Sequence, residues 1–133
     1  MPDQTPDSAI VLTLVRDLMF RPRVDSSLKI AGHEPRAYRV DTPVAEQIEA
    51  GRPALGLVDL AAASDNPTQV IVAMRKAGLN VIGFCGHVDE AAQAAGVAAG
   101  VSLVASRGQL HSDLPGLVTK ALAIKPDPDC DYC

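Results

Sequence analysis

Aromatic residues are almost missing from this chain. It has no tryptophan, two phenylalanines and two tyrosines, 3% of its residues, while 47% are hydrophobic. The core is therefore predicted to be aliphatic and alanine-rich. No apolar run approaches the roughly 18 residues that cross a bilayer, which predicts no membrane-spanning helix. Basic charge is short as well. Twelve Lys and Arg against 16 Asp and Glu give a net charge of −4. A mildly acidic chain without a basic patch is predicted not to bind nucleic acid or anionic membranes. Three cysteines, an odd number, do not suit a disulfide framework and fit a reducing compartment. The start, "MPDQTPDS", lacks the basic lead and apolar stretch of a secretory signal, so the cytoplasm is the expected location. There is no G-x-G-x-x-G after the first strand, no P-loop, and no Ser-His-Asp hydrolase elbow.

What is present is alternation. At 133 residues one domain with a sizeable core is expected. Residues 1–8 read as a disordered lead, 9–124 as the domain and 125–133 as a polar tail. "AIVLTLV" (9–15) is a near-continuous aliphatic run, as in a strand buried on both faces. Apolar spacing predicts a helix over 18–31, with Pro22 near its start and Gly32 as its stop. "RAYRV" (36–40) alternates like an edge strand. Thr42 and Pro43 open a helix to Gly51. "ALGLVD" (54–59) is a buried strand ending in a carboxylate. Asn66 and Pro67 start a helix that stops at Gly78. "NVIGF" (80–84) is a fourth strand, followed by the loop "CGHVD" and a helix over 89–98. "VSLVA" (101–105) is a fifth strand. Asp113 with Pro115 opens a last helix to about Ile124. Five strand–helix units predict an α/β three-layer sandwich with a parallel sheet in the order 2-1-3-4-5, the flavodoxin-like arrangement. Sites in such folds lie beyond the carboxyl ends of the strands. Those ends offer Arg16 and Asp17, then Asp59, then Cys85, Gly86 and His87, then Ser106 and Arg107.

At these positions the chain resembles the bacterial response-regulator receiver (CheY-like) domain, over roughly residues 9–124. In that family an acid pair after strand 1 binds Mg²⁺, an aspartate ending strand 3 is phosphorylated, a Thr or Ser ends strand 4, and a Lys ends strand 5. The resemblance places Asp17 in the acid pair, Asp59 as the phosphoacceptor, Cys85 in the Thr/Ser place and Arg107 in the Lys place. Arg16 stands where the first acid belongs, a thiol replaces the hydroxyl, and Arg107-Gly108 replaces Lys-Pro. This is the profile of a pseudo-receiver.

Charge decides how the site is expected to behave. A standard receiver has three carboxylates and one lysine, leaving two negative charges for a divalent cation. Here Asp17 and Asp59 are offset by Arg16 and Arg107. Each unit-charge contact at about 4 Å and an effective dielectric near 20 is worth roughly 4 kcal/mol before solvation. Mg²⁺, which prefers carboxylate oxygens, is then at most a weak ligand of Asp17 and Asp59, and no other cofactor is expected. Phosphoryl transfer depends on such a cation, so little Mg²⁺-dependent phosphorylation of Asp59 is predicted. Ion pairs of the Arg16–Asp59 and Asp17–Arg107 type are predicted to lock the pocket instead.

The other candidates have plainer alternatives. Cys85 reads as a small buried hydrophobe or as a thiol made reactive by nearby arginines. His87 reads as an exposed loop residue or as an imidazole beside Asp59. His33 and His111 read as surface residues. Cys130 and Cys133 form a C-x-x-C in the tail. They supply two ligands where tetrahedral zinc needs four, so the pair reads as a reduced tail or as a zinc site shared by two chains. Leu110, Leu114, Leu117, Val118 and Leu122 give the last helix more apolar positions than one buried stripe needs, and suggest a homodimer through 101–124. Three functions follow as expectations. The first is a stand-alone pseudo-receiver, a signalling and protein-interaction module without enzymatic activity. The second is an atypical phosphoacceptor using Asp59. The third is a small flavodoxin-like ligand binder or enzyme.

Overall fold

Aliphatic runs too short for helices become strands, and left-handed residues, three of them glycine, end the helices between them. The computed structural model describes residues 9–17, 19–39, 41–61, 66–86 and 90–124. The expected lead at 1–8 and tail at 125–133 lie outside the described residues. The elements in chain order are β1 (Ile10–Leu14), α1 (Arg21–Ile30), β2 (Glu34–Ala37), α2 (Val44–Gly51), β3 (Leu55–Asp59), α3 (Pro67–Lys76), β4 (Asn80–Cys85), α4 (Glu90–Ala99), β5 (Leu103–Ser106) and α5 (Arg107–Ala123). All pairings are parallel, in the order β2-β1-β3-β4-β5. Gly32 and Gly78, the predicted stops of α1 and α3, have φ of +92° and +90°, a region open to glycine at little cost.

Strand alternation divides the core in two. Val11, Leu55, Leu57, Ile82 and Phe84 face α1 and α5, where they meet Val24, Leu28, Leu114 and Val118. Leu12, Leu14, Val58 and Val81 face the other way, onto Val70, Ile71 and Met74 of α3 and Ala99 of α4. The result is a three-layer sandwich. Leu60 is seated between two glycines. A Cβ at Gly83 or at Gly96 would come within 3.0 Å of its side chain, so both must stay small for α4 to reach the sheet.

Three elements depart from the sequence expectation. The edge strand runs over Glu34–Ala37 rather than 36–40. Gln47 takes over just beyond it, accepting the Arg39 N–H at 2.8 Å and donating to the Arg39 and Thr42 carbonyls at 2.8 Å each. With Pro35 lacking an N–H, this leaves a poor template for strand addition. The first helix begins at Arg21 rather than 18, because Asp17 draws the preceding N–H groups into a turn. The last helix begins earlier, at Arg107, and the helix expected from Asp113 is its second segment. A capping box starts it early, with the Ser106 hydroxyl accepting the Gln109 N–H and the Gln109 side chain accepting the Ser106 N–H. Asp113 (φ −152°, ψ 46°) then breaks the helix at the predicted start point.

At the amino end of the sheet a polar staple holds α5. Asn80 Nδ2 donates to the carbonyls of Ala121 and Ile124 at 2.8 Å each, while its Oδ1 accepts from Arg75 Nη1 at 3.0 Å. Arg75 Nη1 also reaches Ser102 Oγ at 3.0 Å, and that oxygen accepts the Val81 N–H at 3.0 Å. Asn80→Leu leaves those helix-end carbonyls without their donor. The expected loss is about 1–3 kcal/mol, read as a lower denaturant midpoint at unchanged slope.

Candidate functional site

The carboxyl end of the sheet gathers two acids, one arginine and both phenylalanines of the chain. Beyond β1, Val15 is buried, Arg16 is exposed and Asp17 is half-buried. Asp17 Oδ1 accepts the N–H groups of Met19 at 2.9 Å and Phe20 at 3.3 Å. Its carbonyl accepts those of Phe20 and Arg21. The Asp17 side chain thus does the capping that Phe20, at the cap position of α1, cannot do. The Met19 N–H above all, with the Phe20 N–H and the Arg107 guanidinium, holds the Asp17 carboxyl below the ordinary value of 3.8, against the cost of partial burial. A lowered carboxylate pKa adds stability above the ordinary value and loses it as the pH falls through the lowered one.

Asp59 ends β3 opposite Phe84 in the register. Its side chain is only 2% exposed. Oδ1 accepts the Ala61 N–H at 3.0 Å. Arg107, the first residue of α5, spans both acids. Nη1 donates to Asp17 Oδ2 at 3.0 Å, and Nη2 lies 3.7 Å from Asp59 Oδ2. Its guanidinium carbon sits 5.8 Å from the Phe20 ring centre, and Phe20 packs on Phe84 with centroids 5.9 Å apart and planes tilted by 53°. A planar fork that is charged, bidentate and stacked is a place for Arg rather than Lys. All four carboxylate oxygens of Asp17 and Asp59 therefore face N–H donors.

Sequence comparison finds no matching family model and no matching curated protein. Solved structures do match. A protein described as a response regulator from Chloroflexus aurantiacus superposes with a TM-score of 0.76 at 19% identity, over 88% of this chain and 99% of its own. The signal receiver domain of NarL from Mycobacterium tuberculosis gives 0.73 at 19% identity, over 90% and 100%. NtrX from Brucella abortus gives 0.74 at 19% identity, over 86% of this chain, which spans only 27% of the NtrX chain. The fold is that of response-regulator receiver domains. At these identities it is the receiver fold that is shared.

Within the receiver fold the expected site residues separate. Asp17, Asp59 and Arg107 come together. Arg16 does not take the expected place against Asp59. It is exposed, and Arg107 pairs with both acids. Asp59 continues the Leu55 and Leu57 face toward α1 and α5, where Arg107 stands. Cys85 is fully buried among aliphatic residues of the opposite face, one position out of phase with Phe84, so it is a core residue and not a pocket thiol. Gly86 is half-buried, with open space where a Cβ would stand. Ser106 is the helix cap. His87, Cys130 and Cys133 lie outside the described residues.

Of the other two histidines, His111 is exposed as expected and His33 is not. His33 is buried, 5% exposed, and its Nδ1 accepts the Ala9 N–H at 3.1 Å. His111 Nδ1 lies 2.8 Å from Arg23 Nη1. In α5, Leu110, Leu114 and Val118 are buried, and Leu117 and Leu122, partly buried, pack against the same core.

Phe20 and Phe84 were missing from the sequence reading of the site. The signal was their scarcity: the chain's only phenylalanines flank the ends of the first and fourth strands. Arg107 and backbone N–H groups face the carboxylate oxygens of the Asp17–Asp59 pair. Among the described residues no group of three His, Cys, Asp or Glu is placed to hold a metal ion, and no helix is long and apolar enough to cross a membrane.

Proposed function

We propose that this chain is a receiver-type signalling and protein-interaction module, of pseudo-receiver character, whose acid pocket is bridged by its own Arg107 rather than by Mg²⁺. The observation that carries the reading is the Arg107 guanidinium across Asp17 and Asp59, at 3.0 and 3.7 Å. It supplies fixed positive charge where phosphoryl transfer would draw on a metal. The module works through binding, in the cytoplasm, with no cofactor and no catalytic turnover.

The test is incubation with Mg²⁺ and a small acyl-phosphate donor, followed by intact-mass measurement. No phosphoryl adduct is expected. An adduct that disappears in Asp59→Asn would overturn the reading and establish the second one, an atypical phosphoacceptor. One observation favours that second reading. Arg16 is exposed, so two carboxylates and a single arginine leave one negative charge at the pocket rather than none. The ligand-binding or enzymatic reading is weakened by the burial of Cys85 in the core.

A further inference from the structure

The last helix is two helices in series. Arg107–Ser112 is closed at its start by the Ser106–Gln109 capping box. It is closed at its end by Ser112, whose hydroxyl donates to the Gly108 carbonyl at 3.0 Å. Asp113 leaves helical geometry, and its Oδ1 accepts the Gly116 N–H at 3.3 Å, so it caps the second segment. Pro115 makes the break obligatory. It has no N–H for the carbonyl four residues back, and its ring would clash there if the helix ran through.

Three contacts dock the first segment. Leu110 is buried in the core, His111 meets Arg23 of α1, and Arg107 reaches the two acids. The second segment has anchors of its own: Leu114, Val118 and Ala121 are buried, and Asn80 holds its end. The two segments thus have separate supports, with the break between them, and the support that includes ionisable partners serves only the first.

We infer that residues 107–112 form a hinged arm, docked by the pairing of Arg107 with Asp17 and Asp59, which releases independently of residues 114–123 when that pairing is lost. The arm converts the charge state of the acid pair into order or mobility of the α5 start beside α1. This goes beyond the module reading and does not depend on whether Asp59 accepts a phosphoryl group, so failure of one leaves the other standing.

Amide hydrogen exchange on the full chain tests it. In Arg107→Met, which keeps the stem and removes the charge, amides of 109–112 should exchange about tenfold faster or more, while those of 117–121 stay within about twofold. Equal acceleration along both segments would show one rod without a hinge, and no acceleration in either would show that Arg107 does not dock the arm. Either result overturns the inference. If Arg107→Met does not fold, Asp17→Asn removes the shorter ion pair and is read in the same way. Asp113→Ala/Pro115→Ala is designed to join the segments. Added to either variant, it should erase the difference between them, and a difference that persists would place the hinge elsewhere.

Discussion

Phe84→Ala is expected to lower stability by about 3–5 kcal/mol, the range for emptying a fully buried aromatic site. Phe84 is 0% exposed and sits in β4 within the core that faces α1 and α5. In a chain with only two phenylalanines, the other ring, Phe20, is already engaged beside it. The substitution also removes the partner of Phe20, a pair worth about 0.5–1.5 kcal/mol beyond its buried area. Urea unfolding of the full chain measures the loss. A change below about 1 kcal/mol would mean that the aliphatic neighbours collapse into the site. Phe84→Leu keeps most of the volume and should cost clearly less. Because Phe20 lies under the Arg107 guanidinium, the alanine variant should also loosen Arg107, visible as faster exchange at 109–112.

Arg107→Ala should cost about 1–3 kcal/mol. Breaking a buried pair from one side is severe, but the arginine side chain is 41% exposed and its contact to Asp59 is 3.7 Å, so the smaller range applies. The loss comes mainly from Asp59, left 2% exposed without the guanidinium that faced it. A second effect follows. Two carboxylates without the competing arginine resemble a cation site, so Mg²⁺ should stabilise the variant and leave the parent chain unmoved. At ten times its Kd the ion would add roughly 1.4 kcal/mol. Thermal unfolding across a Mg²⁺ series reads this directly. Identical responses of parent and variant would show that Arg107 is not what excludes the cation. Arg107→Lys should recover part of the stability, since it restores the charge but neither the two-pronged reach nor the stacking on Phe20.

How legible was this in the residues? The strands "AIVLTLV", "ALGLVD" and "NVIGF" announced themselves because a strand buried on both faces needs an unbroken aliphatic run, a purely local pattern. Helix stops at Gly32 and Gly78 were visible for the same reason. The early start of α5 is also written locally, as Ser106 and Gln109 in capping-box spacing, in competition with the second start signal that Asp113 and Pro115 form further on. The burial of His33 and its bond to the Ala9 N–H, 24 residues away, are tertiary and leave no local pattern.

The sequence by itself determined the architecture: alternation of aliphatic strands with helical spacing leaves a five-stranded parallel sheet with helices on both faces as the economical fold. It also determined which side chains arrive at the carboxyl end of that sheet, since each is set by a strand terminus. Only the tertiary structure decided how they pair. Arg16 and Arg107 are equally plausible partners for Asp59 on paper. The choice falls to Arg107 because side chains alternate across a strand, which turns Asp59 toward the face that α5 covers. The first turn of α5 meanwhile carries Arg107 onto the face that Asp17, Asp59 and the two phenylalanines share. The same phase rule buries Cys85 one step from Phe84. Ion-pair choice is a matter of angstroms between segments 90 residues apart in the chain, and distances of that kind are settled by packing, not by spacing along the sequence.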